Sequence, residues 1–188
     1  LLSLTFSGET DLSTSKLVFS DEFNQGVLDL NSWSYDLGDG CPSLCGWGNN
    51  EWQVYAKSNV ITVNNQLVIS ATKHVDNYYS GRITTKDKFE FTYGTIEVKA
   101  QLPKGKGLWP AIWMLGHDID SNTWPACGEI DIMEYVGKSP GEIHTTLHTP
   151  ESYGQSFNTQ ITSIDSIEEG FHVYKTKWDA SQIEFYID

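Results

Sequence analysis

Short segments rich in β-branched and aromatic residues run through most of the chain and constrain its fold more than any other feature. Examples are NVITVNNQLVIS, YGTIEVKAQL and QIEFYID, and turn-forming residues such as Asn64-Asn65 separate them. No stretch has a convincing helical period, and SIDSIEEGF is at most one turn. Short strands at this spacing predict an antiparallel β-sandwich or jelly roll, whose curved sheets leave one concave face for a ligand.

The composition allows one domain with a substantial core and limits the class of partner. The chain has 188 residues, of which 13% are aromatic, and its formal net charge is −13 at pH 7. That many rings need a sizeable core or a wide aromatic-lined cleft. The negative charge gives no general attraction to nucleic acid or to an anionic membrane, and no segment approaches the apolar length that spans a bilayer. We therefore expect neither a nucleic-acid nor a membrane partner.

Two of the three cysteines, Cys41 and Cys45, lie in the loop DGCPSLCGWG. A short bridge is sterically possible in a loop so rich in Gly and Pro, whereas metal binding would need further thiols or nearby histidines. We predict a Cys41–Cys45 disulfide. Cys127 is then a free thiol of the kind that is usually a small buried hydrophobe.

The two ends of the sequence suggest where the domain lies. The chain stops on IEFYID, a strand pattern followed by neither a turn nor a closing partner. We interpret this as a domain whose last strands are missing. The expected organisation is an N-terminal extension over 1–15 and a C-terminally incomplete domain over 16–188.

Three carboxylates interrupt an apolar strand pattern in GEIDIMEYVG, residues 128–137. Side chains alternate along a strand with period two, so Glu129 and Asp131 share a face while Glu134 should point the other way. A β-bulge around Ile132-Met133 would insert one extra residue and restore the alternation beyond it. We therefore predict a bulge that brings all three acids to one face.

Three acids on one face repel each other and raise the pKa of at least one of them. A retaining glycosidase needs such a pair, one carboxylate ionised to attack the sugar and one protonated to assist the leaving oxygen, about 5–5.5 Å apart. A divalent-cation site and a solvated acidic edge are the alternatives. Calcium ligands usually come from a loop, and an edge would not carry Ile130 and Ile132, but spacing alone does not decide between these explanations.

The strand GEIDIMEYVG resembles the active-site strand of glycoside hydrolase family 16, in the laminarinase-like branch that carries the bulged form Glu-x-Asp-x-x-Glu. FSDEFN, LDLNSWSYD, GWGNNEWQVY, SGRITTK, YGTIEVKAQLPKGKGLWPAIWML and HTTLHT also occur in the expected order, so the resemblance covers the chain from about Lys16 onward. It implies a concanavalin-like jelly roll and retaining endo-hydrolysis of β-1,3-glucan. Mapped onto this chain, Glu129 is the nucleophile, Glu134 the general acid/base and Asp131 the assisting carboxylate. We expect the charges of Glu129 and Asp131 to keep Glu134 protonated.

Two tryptophans are candidate sugar platforms. Trp109 and Trp113 lie four residues apart in GLWPAIWML and share a face if the strand is regular. Core packing is the alternative for both. The resemblance places the matching tryptophans in the cleft, where indoles stack on the apolar faces of sugar rings.

The resemblance also implies polar contacts around the cleft. Asn49 and Arg82 are expected to bind sugar hydroxyls, and His148 to flank the acid/base; a turn residue, a surface cation and a buried histidine are the alternatives. Glu22 in SDEF is a candidate ligand of a structural calcium ion, and no cofactor is expected for catalysis.

Other functions remain open on the sequence. A related glycosidase could act on mixed-linkage glucan or on a marine galactan such as agar or carrageenan, and a jelly roll can also be a glucan-binding module without catalysis. Intact paired glutamates favour an enzyme, and 12 basic against 25 acidic residues disfavour a sulfated chain. We expect a secreted monomer whose partner is a β-glucan polysaccharide.

Overall fold

The computed structural model describes residues 2–6, 16–154 and 158–188. Within these ranges the chain forms β-strands and two short 3₁₀ turns, and contains no α-helix. In chain order the strands are β1 Leu2–Phe6, β2 Lys16–Asp21, β3 Ser34–Asp36, β4 Gln53–Tyr55, β5 Val60–Val63, β6 Gln66–Ile69, β7 Thr72–His74, β8 Asn77–Ser80, β9 Arg82–Thr84, β10 Gly94–Ala100, β11 Ala111–Leu115, β12 Glu129–Tyr135, β13 Glu142–His148, β14 Thr159–Ser163, β15 His172–Trp178 and β16 Ile183–Ile187. No helical segment of the described residues is long and apolar enough to cross a membrane. The predicted all-β architecture is confirmed.

The chain divides into two compact units. The first combines the described residues up to 20 with those from 92 onward, and the second comprises residues 21–91.

The first unit contains two antiparallel sheets, ordered β16-β15-β10-β1-β2 and β11-β12-β13-β14. Contacts between β12 and β15 join the two sheets. Large side chains are completely buried in this unit: Met133, Tyr135, Ile143, Ile167 and Tyr174. Burying one such side chain contributes about 1.5–3 kcal/mol to folding. This core therefore fixes β12, the strand that carries the three carboxylates.

A hydrogen bond anchors the loop after β14 to the same strand. The hydroxyl of Tyr135 donates to Oε1 of Glu168, and Ile167 beside it is fully buried. The residue next to Glu134 is thereby held both by packing and by a polar contact.

β1 lies inside the predicted N-terminal extension. It pairs antiparallel with β10, with Leu2 opposite Val98 and Thr5 opposite Thr95. Part of the predicted extension is thus a strand of the larger sheet, while residues 1 and 7–15 lie outside the described residues. The predicted boundary between extension and catalytic domain stays a prediction.

The second unit contains three small sheets, β3-β9, β4-β8-β7 and β5-β6. Only the β4–β8 pair is parallel. The predicted turn at Asn64-Asn65 joins β5 to β6, and both residues have the left-handed φ, 51° and 57°, that a tight hairpin requires and Asn tolerates. Trp33 is buried in this unit and donates its indole N–H to Oδ2 of Asp21 at 2.8 Å.

Candidate active site

A β-bulge in β12 brings the three carboxylates to one face of the four-stranded sheet. Asp131 lies opposite Thr146 and Glu134 opposite His144, so three steps along β12 match two steps along β13. The pairing with β11 shifts at the same place. The predicted bulge is confirmed from both neighbouring strands.

The two residues of the bulge pack into the core. Ile132 and Met133 are consecutive, yet they are only 3% and 1% exposed. In a regular strand one of them would point to the opposite face. Burial of both side chains therefore supplies the free energy that holds the bulge and aims Glu134.

The pairing identifies the rest of this face. Residues directly opposite each other in an antiparallel pair project to the same side of the sheet. The partners of the three acids are Leu115, Trp113 and Ala111 on β11 and His148, Thr146 and His144 on β13. The candidate site is thus a row of three carboxyl groups between an apolar strand and a strand with two histidines.

Asp131 is the most buried of the three acids, with 4% of its surface exposed. Loss of hydration raises its pKa to about 8, and the charges of Glu129 and Glu134 add to this effect. Asp131 is therefore protonated at neutral pH. Its Oδ2 lies 3.2 Å from Nε2 of His148, and we assign this contact as a hydrogen bond from the neutral carboxyl group to the imidazole rather than as an ion pair.

Glu134 also has a raised pKa, and burial is the main cause. The charge of Glu129 raises it further, whereas an indole hydrogen bond from Trp109 at 2.9 Å and the nearby His144 and His148 oppose the shift. The predicted contribution of the Glu129 charge is confirmed. The predicted contribution of an Asp131 charge is wrong, because Asp131 is protonated at neutral pH, and desolvation outweighs the charge of Glu129.

Glu129 accepts a hydrogen bond that the sequence analysis missed. The indole Nε1 of Trp124 donates to its Oε2 at 2.7 Å. The Trp124 ring lies 5.7 Å from the ring of His148 and makes an edge-on contact with Tyr153 at 5.5 Å. The sequence does contain a hint of this contact, because the tripeptide Trp-Pro-Ala occurs twice. The copy at 109–111 ends on the first residue of β11, and the copy at 124–126 lies shortly before β12.

The predicted sugar platforms occupy different positions. Trp109 precedes β11, is 50% exposed and contacts Glu134. Trp113 lies within β11, opposite Asp131, and is partly buried. Both therefore lie beside the acids, but their stacking on sugar stays a prediction.

His148 lies at the opposite end of the row from the predicted one. It pairs with Glu129 and contacts Asp131, whereas His144 pairs with Glu134. His148 therefore flanks the nucleophile candidate because the antiparallel pairing places it opposite Glu129, and the bulge brings Glu134 opposite His144. Its predicted contact with substrate stays a prediction.

Asn49 and Arg82 belong to the second unit. Asn49 donates from Nδ2 to Oε1 of Glu51 at 3.2 Å. Nε of Arg82 lies 2.8 Å from Oδ2 of Asp36, and its guanidinium carbon lies 4.4 Å from the centre of the Trp47 ring. These contacts hold both polar groups in place within their unit, and their predicted role in binding sugar hydroxyls stays a prediction.

The cysteines behave as predicted. Cys41 and Cys45 form a disulfide and Cys127 is a free thiol, which confirms both assignments. Burial is the main cause that raises the pKa of Cys127, but the residue is partly exposed, so the expected full burial is not seen.

Glu22 is exposed and immediately follows β2. Among the described residues, no group of three His, Cys, Asp or Glu side chains close enough to share an ion includes it. The predicted structural calcium stays a prediction.

The chain matches known proteins over most of its length. A family model described as glycosyl hydrolases family 16 matches residues 48–188. The solved structure of a laminarinase from Flavobacterium sp. UMI-01 is similar with a TM-score of 0.90 and 53% identity, over 92% of this chain and 75% of that one. This likeness confirms the predicted jelly-roll fold class.

Two curated relatives are similar over 92% of this chain. They are the beta-glucanase of Rhodothermus marinus, 38% identical, and glucan endo-1,3-beta-glucosidase A1 of Niallia circulans, 36% identical. The chain spans 63% of the length of the first relative and 28% of the second.

Proposed function

The chain belongs to glycosyl hydrolase family 16, as its motifs predicted, and from this premise we propose that it cleaves internal linkages of a β-1,3-glucan with retention of anomeric configuration. One observation carries the proposal. The bulge in β12 places Glu129 and Glu134 on one face, and burial gives Glu134 a raised pKa. A double displacement requires a nucleophile and a proton donor on one face, and the direction of the pKa shift of Glu134 favours it as the proton donor.

In the first displacement, Glu129 attacks the anomeric carbon. The bond between that carbon and the glycosidic oxygen breaks, and Glu134 gives its proton to the departing oxygen. A glycosyl ester on Glu129 results. The raised pKa of Glu134 supports this role, because a general acid must carry its proton when the substrate arrives.

The second displacement reverses the roles. Once Glu129 is an ester it has no charge, so one cause of the raised pKa of Glu134 is removed. Glu134, now a carboxylate, takes a proton from water while the water oxygen attacks the anomeric carbon and the ester bond breaks. The product keeps the β configuration because two inversions cancel.

Asp131 keeps the crowded face from carrying three charges. As a neutral group it neither competes as a nucleophile nor adds repulsion to Glu129. Its hydrogen bond with His148 holds the histidine beside Glu129. We assign it the part of a neutral spacer that positions its neighbours.

The charge balance supports a neutral polymer as substrate. An anionic chain would meet a protein with net charge −13, in which 25 acidic residues oppose 12 basic ones. Trp109, half-exposed beside Glu134, offers a flat apolar surface for an uncharged sugar ring. Arg82 and Asn49 are the proposed hydrogen-bond donors to sugar hydroxyls.

We also propose a secreted monomer. The Cys41–Cys45 disulfide supports an oxidising compartment. All three carboxyl groups come from one strand of one chain, so the proposed chemistry needs no second copy.

Laminarin digestion followed by proton NMR tests the proposed function. We expect β-anomeric reducing ends in the first minutes and products of intermediate length. Glu129→Gln should abolish turnover, whereas Glu184→Gln, an exposed residue on β16, should leave it unchanged. An α-anomer appearing first would contradict the mechanism. Rapid cleavage of agarose or carrageenan without cleavage of laminarin would contradict the substrate.

A further inference from the structure

Each of the two catalytic glutamates accepts a hydrogen bond from a tryptophan. Trp124 donates to Oε2 of Glu129 at 2.7 Å, and Trp109 donates to Oε1 of Glu134 at 2.9 Å. An indole N–H is a donor only, so in each glutamate it engages one carboxyl oxygen as acceptor. The other oxygen of each residue is left for chemistry.

The Trp124 ring is fixed from two sides. The ring of His148 lies 5.7 Å away and that of Tyr153 5.5 Å away, in tilted and edge-on contacts. His148 is in turn held by Asp131 at 3.2 Å. Trp124 is 41% exposed, so these two ring contacts, rather than burial, orient the N–H that reaches Glu129.

We propose that Trp124 is a positioning residue that presents Oε1 of Glu129 to the anomeric carbon, and that Trp109 does the same for the proton on Oε2 of Glu134. This inference rests on the proposed function. A protonated carboxyl group has one hydroxyl and one carbonyl oxygen, and the indole of Trp109 pairs with the carbonyl one. The proton therefore resides on Oε2, from which it passes to the glycosidic oxygen as the C–O bond breaks and Oε1 of Glu129 bonds to carbon.

The hydrogen bonds of Trp124 and Trp109 should matter for different classes of substrate. Every substrate requires attack by Glu129. Proton donation by Glu134 matters for a sugar leaving group but not for dinitrophenolate, which departs without a proton. A substrate with an activated leaving group therefore separates the part played by Trp124 from that of Trp109.

The experiment compares Trp124→Phe and Trp109→Phe with the parent in two assays. The first is hydrolysis of laminarin. The second is the rate of Glu129 labelling at saturating 2,4-dinitrophenyl 2-deoxy-2-fluoro-β-laminaribioside, followed by mass spectrometry. A hydrogen bond to a charged group contributes enough for roughly a ten- to hundredfold effect on rate. We expect Trp124→Phe to lose that factor in both assays. Trp109→Phe removes a hydrogen bond to a neutral carboxyl group but keeps a flat apolar ring for the sugar, so it should lose roughly two- to tenfold on laminarin alone.

The pH profile supplies a readout that a merely structural role would not move. Trp109 opposes the raised pKa of Glu134, as do His144 and His148, while Glu129 adds to it. Removing the indole N–H should therefore shift the alkaline limb of kcat/KM on laminarin to higher pH. Trp124→Phe should leave that limb in place.

Two further variants keep the test decisive. Trp52→Phe removes an indole that is 80% exposed in the second unit, and it should match the parent in both assays. Replacing Trp124 by its benzothiophene isostere removes only the N–H, which covers the case in which Trp124→Phe fails to fold.

The outcomes separate this inference from the proposed function. A parent that neither releases sugar from laminarin nor becomes labelled overturns the proposed function. An active parent whose Trp124→Phe and isostere variants are labelled at the parental rate overturns the positioning role alone. So does equal loss of labelling in Trp109→Phe and Trp124→Phe, because no difference between the two indoles would remain.

Discussion

Replacing Asp131 by Asn should stabilise the fold at neutral pH and progressively more as the pH rises. The side chain of Asp131 is only 6% exposed, and its pKa is raised from 3.8 to about 8, mainly by burial. In the unfolded chain the same group titrates near its ordinary value and is ionised at neutral pH. Asn has almost the same shape, stays neutral in both states and can still donate to His148.

The sign and size follow from proton linkage. Between about pH 4 and pH 8 the folded protein retains a proton on Asp131 that the unfolded chain has lost. The contribution of Asp131 to stability is thus complete below pH 4 and is lost as the pH rises to 8. The free energy of unfolding should fall by about 1.4 kcal/mol per pH unit from this group, or about 6 kcal/mol over the window. The Asp131→Asn variant has no ionisable group at this position, so its free energy of unfolding should not show this fall with pH.

Urea denaturation followed by tryptophan fluorescence at pH 4.5, 5.5, 6.5 and 7.5 measures the difference between parent and variant. The difference should be small at pH 4.5 and grow with each step. Asp29→Asn is the matched control. Hydrogen bonds from the Asn31 backbone and from Ser32 lower the pKa of the partly exposed Asp29, so that variant should lose stability above its ordinary pKa.

A constant difference across the four pH values would refute this account of Asp131. So would a variant that is less stable than the parent by an amount that grows with pH. Either result would mean that the folded protein does not retain on Asp131 a proton that the unfolded chain has lost.

Three further outcomes are expected. Alkylation without reductant should label one thiol per chain, because Cys41 and Cys45 are bridged and Cys127 is free; mass spectrometry showing three labels would contradict this. Met133→Ala should lower the free energy of unfolding by roughly 2–5 kcal/mol, since its side chain is fully buried in the bulge, and a loss below about 1 kcal/mol in urea denaturation would speak against that packing. EDTA should lower the Tm of the parent more than that of Glu22→Ala if Glu22 helps to hold a structural calcium ion, and equal shifts would exclude it as a ligand.

Local sequence patterns were enough to predict the strands, the bulge and the shared face of the three acids. Alternation along a strand depends on backbone geometry, so the five-residue separation of Glu129 and Glu134 already required an irregularity. The disulfide was equally local, because Cys41 and Cys45 lie in one short loop. The family motifs then supplied roles for residues that the spacing alone left undecided.

Tertiary structure decided the chemistry around each acid. Trp124 reaches Glu129 from an irregular segment, and His148 reaches Asp131 from the next strand, seventeen residues away in sequence. Only packing determines such contacts, because they join residues that no backbone period relates. The burial of each carboxyl group is likewise determined by tertiary packing. The pKa of Asp131 depends on how far the folded sheets exclude water from its carboxyl group. The sequence pattern places three carboxyl groups on one face, but it does not reveal which of them is buried in the folded protein.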